Sequence, residues 1–281
     1  MVKLKTKFIC QNCGASFTKW AGKCENCGQW ITLLEQVQES EGKSAVSKSA
    51  NSGKILDFQN IKEISSKRPE KRISTGISDL DNVLGGGILP AGVILIAGQP
   101  GIGKSTLLMQ VSSFVANESP VLYISGEESA EQVAMRASRL GANKTNNLHF
   151  ASSTNADDIA ATIRDGGHKV VIIDSIQTLA MTEISSAPGT VSQITNSSNL
   201  IIQSAKKSNT AVILVGHITK EGGIAGPKTL EHLVDVVLNF EGDRYGGFKV
   251  VRAIKNRYGS TTEAAIFEMN ESGLQIVENP S

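Results

Sequence analysis

The stretch Ile94 to Met109, reading ILIAGQPGIGKSTLLM, constrains the fold of this chain more than any other part of it. A β-branched apolar run, Val93 to Ala97, leads into a glycine-rich turn from Gly98 to Lys104, and a helix-like run follows from Ser105. The spacing Gly98, four residues, Gly103, Lys104, Ser105 satisfies GxxxxGK[ST], which between a strand and a helix is a phosphate-binding loop. Gly98, Gly101 and Gly103 are expected to take positive φ angles and bring backbone N–H groups to a polyphosphate without a Cβ in the way. Lys104 would reach the β and γ phosphates, the Ser105 hydroxyl would ligate Mg²⁺, and the helix start adds partial positive charge. A nucleoside triphosphate is the expected substrate or switch.

From Ile73 onward the pattern alternates strand and helix, the signature of a mostly parallel sheet with crossover helices. Strands are predicted over 93–97, 121–125, 170–174, 211–216, 234–240, 248–254 and 264–269, and helices over 104–116, 129–140, 156–166 and 190–207. A short helix over 78–84 is closed by Gly85, Gly86 and Gly87. The last two strands, joined by a turn, suggest an antiparallel addition at one edge.

Chemistry in such a sheet gathers at the strands' C-terminal ends. KVVIID, Lys169 to Asp174, is an apolar strand ending in a carboxylate, so Asp174 is expected to hold Mg²⁺ through its water shell. VLYISGEE ends in Glu127 and Glu128, and Glu127 is preferred as the group that polarises an attacking water. VILVGH ends in His217, placed to feel a γ phosphate or simply to be a satisfied polar group. Lys255-Asn-Arg-Tyr-Gly259 is a basic turn: either a solvated hairpin or, through Lys255 and Arg257, an arginine finger for a neighbouring subunit.

The four cysteines, Cys10-x-x-Cys13 and Cys24-x-x-Cys27, form two knuckles suited to one tetrahedral Zn²⁺. Four protein ligands leave no open position, so the zinc would be structural, and a module this small needs it to fold. Disulfides are the competing reading, disfavoured in a chain expected to be cytoplasmic, with no export signal and no membrane-length apolar run. Phe8, Phe17, Trp20 and Trp30, with Lys19 and Lys23, would either stack on bases or build the mini-core, the second being preferred for Phe17 and Trp30. Residues 1–75 hold 13 Lys or Arg against 7 Asp or Glu, which hints at a polyanionic partner or a merely solvated tail. Three regions follow: a four-cysteine zinc module over 1–36, a flexible linker and approach segment over 37–72, and the nucleotide-binding core over 73–281.

Several motifs together, FICQNCG, KWAGKCENCGQW, STGISDLDNVLGGGI, GQPGIGKSTLL, YISGEES, VIIDSIQTL, HITKEGGIAGPKTLEHLVD and KNRYGS, give the chain its resemblance to the bacterial RadA (Sms) family. These are RecA-type recombination ATPases related in assembly to DnaB-like helicases. The resemblance implies an α/β RecA-type P-loop core with a zinc-ribbon-like module, and ATP with Mg²⁺ held by Gly98, Gln99, Pro100, Gly101, Ile102, Gly103, Lys104, Ser105, Thr106 and Asp174. It implies Glu127 as hydrolytic base, His217 as γ-phosphate sensor, and Lys255 and Arg257 at a subunit interface. Thr219 to Lys228 and Met181 to Val191 would be DNA-facing loops. A homo-hexamer around single-stranded DNA, acting on recombination intermediates by branch migration alongside a recombinase, is the implied assembly.

Three departures accompany this. Tyr258 replaces the family's usual Phe, and ILPAGV stands after Gly87 where a Pro-Gly-Ser turn is usual. The family also continues into a domain resembling the Lon protease fold, so a form without it is expected to support its ring less well. Two other readings use the same loop: an ATP-switched, partner-recruiting DNA-binding protein without motor activity, and a KaiC-like protein kinase.

Overall fold

The computed structural model describes residues 5–10, 15–30, 32–38, 57–66, 71–217, 229–242 and 247–277. Two compact units divide between Ile64 and Ser65. In the first, strands β1 (Lys5–Cys10), β2 (Ser16–Phe17) and β3 (Leu33–Gln38) form an antiparallel sheet in the order β2-β1-β3. Its core is Cys10, Cys24 and Leu33, with Phe8 and Phe17 packed against them. Trp30, preferred as a core residue from sequence, is instead 69% exposed. The sulfur-lined centre is already filled, and Trp30 faces Lys23 across an isolated antiparallel bridge. A helix, α1 (Ile61–Ser66), occupies part of the approach segment. Most of the linker, 39–56 and 67–70, lies outside the described residues.

In the second unit α2 (Ser78–Val83) precedes the central strand β4 (Val93–Gly98) and helix α3 (Lys104–Val115). There follow β5 (Val121–Ser125), α4 (Ala130–Arg139), β6 (Leu148–Ser152), α5 (Ala156–Asp165), β7 (Val170–Asp174), α6 (Val191–Ser208) and β8 (Ala211–His217). The chain ends through α7 (Thr229–Leu233), β9 (Val236–Gly242), β10 (Phe248–Asn256), β11 (Ala264–Asn270) and β12 (Gly273–Ile276). The nine strands of the sheet run β12-β11-β10-β9-β4-β8-β7-β5-β6. From β9 to β6 the pairing is parallel; β10, β11 and β12 extend it antiparallel at one edge, as the closing turn of the sequence suggested.

Strand alternation sorts the core into two faces. Ile94 and Ile96 of β4 pack with Leu107 and Val111 of α3, while Val93 and Leu95 pack on the other side with Ile159, Ile194 and Ile201 of α5 and α6. Each of these fully buried side chains contributes about 1.5–3 kcal/mol relative to exposure, so β4 is pinned from both faces. The loop at its C-terminal end is thereby carried on a strand buried on both faces. Helix starts are fixed locally: Ser129 and Gln132 form a reciprocal capping box for α4, and the Asn155 side chain accepts from the Asp157 and Asp158 amides of α5. Among the described residues no helix is long and apolar enough to cross a membrane.

Candidate nucleotide site

β4 ends at Gly98, and α3 begins at Lys104 with Gly103 as its N-cap. Gly101 and Gly103 take φ of 75° and 119°, the left-handed region expected of this loop. Gly98 differs from expectation, since it is not among the positive-φ glycines. Its requirement is room: a Cβ there would sit 2.5 Å from the Phe240 carbonyl oxygen of β9. Gln99, Pro100 and Gly101 are exposed at the crest of the loop, while Ile102, Ser105 and Thr106 are half-buried at its base.

Lys104 is 4% exposed and donates to the carbonyls of Gly98 (2.8 Å) and Gln99 (2.9 Å) of its own loop. Burial pushes its ammonium below the ordinary lysine range, against the pull of the Asp174 and Glu127 carboxylates. Its Nζ also lies 3.3 Å from His217 Nδ1. An ammonium only donates, so Nδ1 is the acceptor and the imidazole proton belongs on Nε2. Nε2 faces Glu127 Oε1 at 3.5 Å. Lys104, His217 and Glu127 therefore form one line across the ends of β4, β8 and β5.

Asp174 closes the floor of the site. Its Oδ2 accepts from Ser105 Oγ (2.6 Å) and from the phenol of Tyr123 (2.7 Å), a residue that sequence reasoning missed. Burial and the neighbouring Asp174 charge hold the Tyr123 phenol well above its ordinary value, so it stays a donor. A Mg²⁺ ion with oxygen bonds of about 2.1 Å places adjacent ligands roughly 3 Å apart. Ser105 Oγ is a hard donor suited to such an ion, and Asp174 Oδ2, 2.6 Å from it, is placed beside it to act through the ion's water shell.

Glu127 and Glu128, adjacent in sequence, diverge in space. Ser125 Oγ accepts from both of their amides, at 3.3 and 2.9 Å, which folds the strand end into a tight turn. Glu128 pairs with Arg136 of α4, whereas Glu127 accepts from Ser175 Oγ at 2.5 Å and turns toward His217. Gly126 permits the turn, because a Cβ there would meet Thr178 Oγ1 at 2.1 Å.

Lys255 and Arg257 are not part of this cluster. β10 runs antiparallel to β9 and brings Asn256 opposite Val236, near the start of β4, whereas Phe240 pairs with Gly98 at its end. Within one chain the basic turn and the phosphate loop are thus separated by the length of β4, roughly 16 Å. Nor is the turn a freely solvated hairpin. Lys255 donates to the Glu231 (2.5 Å) and Val234 (2.7 Å) carbonyls at the end of α7, and burial with the nearby Arg257 charge lowers its pKa. Arg257, half exposed, pairs with buried Asp235 at 3.1 Å, and the other Asp235 oxygen accepts the Val93 amide at 3.0 Å. Arg72 ties the turn to the glycine run after α2 by donating to the carbonyls of Leu84, Gly87 and Tyr258.

Of the loops expected to face DNA, Thr219 to Lys228 lies outside the described residues. Met181 to Val191 is held by Gln193, whose amide bonds Met181 N (2.9 Å), Ile184 O (3.0 Å) and Ser186 O (2.8 Å). In the first unit the sulfurs of Cys10, Cys24 and Cys27 lie within 4.8 Å of one another. Tetrahedral Zn–S bonds of about 2.3 Å separate sulfurs by roughly 3.8 Å, so the three fit a shared metal. Cys13 lies outside the described residues.

The family model described as "AAA domain" matches residues 63–223, and the model described as "rubredoxin metal binding domain" matches residues 8–35. The chain is 46% identical over its whole length to the DNA repair protein RadA of Halalkalibacterium halodurans and to that of Pseudomonas aeruginosa, covering 61% of each. It is 45% identical to the DNA repair protein RadA of Aquifex aeolicus, covering 62%. The chain therefore spans about three fifths of the length of these curated relatives. A solved structure of an isolated ATPase domain superposes with a TM-score of 0.64 over 78% of this chain and 96% of that one, at 16% identity, a likeness of fold. The core is a RecA-type P-loop ATPase fold carrying a small N-terminal metal module.

Proposed function

The chain belongs to the AAA domain family, whose model covers residues 63–223, and from that premise we propose that it is a Mg²⁺-dependent, DNA-stimulated ATPase of DNA repair. The observation that carries the reading is the line Lys104, His217, Glu127 laid beside Asp174 and Ser105. Lys104, buried and held at the loop, exchanges its two backbone carbonyls for phosphate oxygens and neutralises charge that develops there. Ser105 and, through the water shell, Asp174 would hold Mg²⁺, which when bound would supply Lewis-acid stabilisation of the charge on the phosphates. Glu127, oriented by Ser175 and free of the Arg136 pairing that engages Glu128, positions and deprotonates the attacking water. His217 touches both Lys104 and Glu127, so a change at the phosphates reaches the catalytic carboxylate and the segment that follows β8.

Arg257 and Lys255 lie too far from their own loop to act on it, and in this reading they serve the loop of the next subunit in a homo-hexamer. The relatives' name, DNA repair protein RadA, supports a role in DNA repair; in this reading the substrates are single-stranded DNA and recombination intermediates, with branch migration as the output and a recombinase as partner. Zn²⁺ held by Cys10, Cys13, Cys24 and Cys27 would be structural.

The test is steady-state ATP turnover with and without single-stranded DNA. Wild-type turnover should rise with DNA, and Lys104→Ala should abolish it while the far-UV circular dichroism stays unchanged; a Lys104→Ala protein that hydrolyses ATP normally refutes the assignment. Mixing Arg257→Ala with Lys104→Ala subunits should restore some hydrolysis, because each junction at which the loop of an Arg257→Ala subunit meets the turn of a Lys104→Ala subunit is intact. Mixed rings without recovery would contradict action in trans.

A further inference from the structure

Trp20 and Trp30 are the two tryptophans of the chain, and the nucleotide site uses neither. They are 60% and 69% exposed in the metal module. The module's core is filled by Cys10, Cys24 and Leu33 with Phe8 and Phe17, so the indoles are not needed to close it. Gly22 lies between them: a side chain begun there would come within 3.8 Å of both rings, and glycine leaves them a shared opening. Lys23 places its Nζ 5.7 Å from the Trp30 ring centroid, and exposed Lys19 precedes Trp20.

Two wet π faces on so small a module call for a partner to cover them. Aromatic anchors serve protein interfaces and single-stranded nucleic acid alike, and the charge separates the two. Residues 1–36 carry five Lys and two Glu, with no Arg or Asp. Lysine is depleted from protein interfaces, whereas lysine beside stacked aromatics is the composition of a single-strand site. We infer that the face formed by Trp20, Gly22 and Trp30 stacks unpaired bases of single-stranded nucleic acid, with Lys19 and Lys23 on the phosphates. The inference rests on the single-stranded DNA reading above and adds to it a contact outside the ATPase core. A duplex, whose bases are already stacked on one another, offers this face much less.

No other tryptophan is present, so indole emission, excited selectively over the three tyrosines, reads this surface alone. The full chain, with its metal, is titrated with fluorescein-labelled oligothymidine, following indole emission and label anisotropy together. Emission should be quenched in step with binding, and a duplex of equal length should quench it less. Trp20→Ala and Trp30→Ala should each weaken binding roughly 5- to 150-fold, with Trp→Phe at the same positions restoring most of it. Metal content confirms that the module has folded. Lys19→Ala with Lys23→Ala, which leaves the module's core untouched, should flatten the log–log salt slope by roughly 1.4, about 0.7 per lost phosphate contact. Binding without quenching, and with the affinity of both Trp→Ala variants unchanged, overturns the stacking site and leaves the ATPase proposal standing. Absence of any anisotropy change with wild-type protein overturns both. Emission that tracks protein concentration rather than DNA overturns the inference in favour of a self-association face.

Discussion

Replacing Asp235 with alanine probes the link between the sheet and the basic turn. The carboxylate is 3% exposed, and its two oxygens do separate work: one accepts the Val93 amide at 3.0 Å, the other the Arg257 guanidinium at 3.1 Å. Val93 is fully buried, so losing the acceptor leaves its N–H unsatisfied, at a cost of about 1–3 kcal/mol. Removing one partner of a fully buried ion pair costs about 3–5 kcal/mol, but the Arg257 side chain is 49% exposed and water can take it up. That contribution therefore falls toward the surface value of about 1 kcal/mol. Asp235→Ala should thus destabilise the core by about 2–4 kcal/mol. Asp235→Asn, which keeps an acceptor for Val93, should cost about 1 kcal/mol. Urea unfolding followed by circular dichroism is the assay, and with an m-value of about 2 kcal/mol/M the alanine midpoint should fall by about 1–2 M. If alanine costs less than about 0.5 kcal/mol, or asparagine costs as much as alanine, Asp235 does not anchor β4 and the turn as described.

Three further outcomes follow from the same geometry. Tyr123→Phe removes one of two donors to the buried Asp174 carboxylate and should lower stability by about 1.5–3 kcal/mol in thermal denaturation, with a loss under about 0.5 kcal/mol counting against the network. His168, whose Nε2 lies 2.8 Å from His149 Nδ1, has its pKa lowered from 6.5 by burial and by the neighbouring imidazole. The folded state then binds fewer protons than the unfolded one, so this stability is full above pH 6.5 and is lost as pH falls through the lowered folded value. His168→Gln should flatten the stability profile below pH 6.5; parallel profiles would exclude the pair as a contributor. Metal analysis should find about one zinc per chain, and Cys24→Ser should lose most of it, whereas a variant with full metal content refutes the shared thiolate site.

How far the sequence was legible depended on the kind of signal. β4, β5, β7 and β8 are continuous apolar runs buried on both faces, and their predicted bounds agree with the structure to within a residue. β6 escaped because LHFAS is an edge strand with partly exposed side chains and no apolar run. β12 escaped because GLQI is short and is defined mainly by its pairing with β11. Asp174, Glu127 and His217 were legible because each stands at the end of a strand as a polar group. Tyr123, Ser175, Gln193 and Asp235 were not, since their roles exist only across tertiary contacts. From sequence Gly98 reads as a conformational glycine, whereas close approach to Phe240 is its constraint; Trp30 reads as core, whereas sulfurs and smaller apolar groups already fill the module. A terminal Asp before VVLNF was the one sequence hint of Asp235.

The catalytic assignment turns on two adjacent carboxylates that the fold sends to different partners. Single-turnover ATP hydrolysis, measured beside nucleotide affinity for Glu127→Gln and Glu128→Gln, tests it most directly. Glu127→Gln should bind ATP as tightly as the parent and hydrolyse it about 10²- to 10⁴-fold more slowly, while Glu128→Gln, altered only in its pairing with Arg136, should keep turnover within about tenfold of the parent. Parent-like hydrolysis by Glu127→Gln, or the larger loss in Glu128→Gln, would contradict the account.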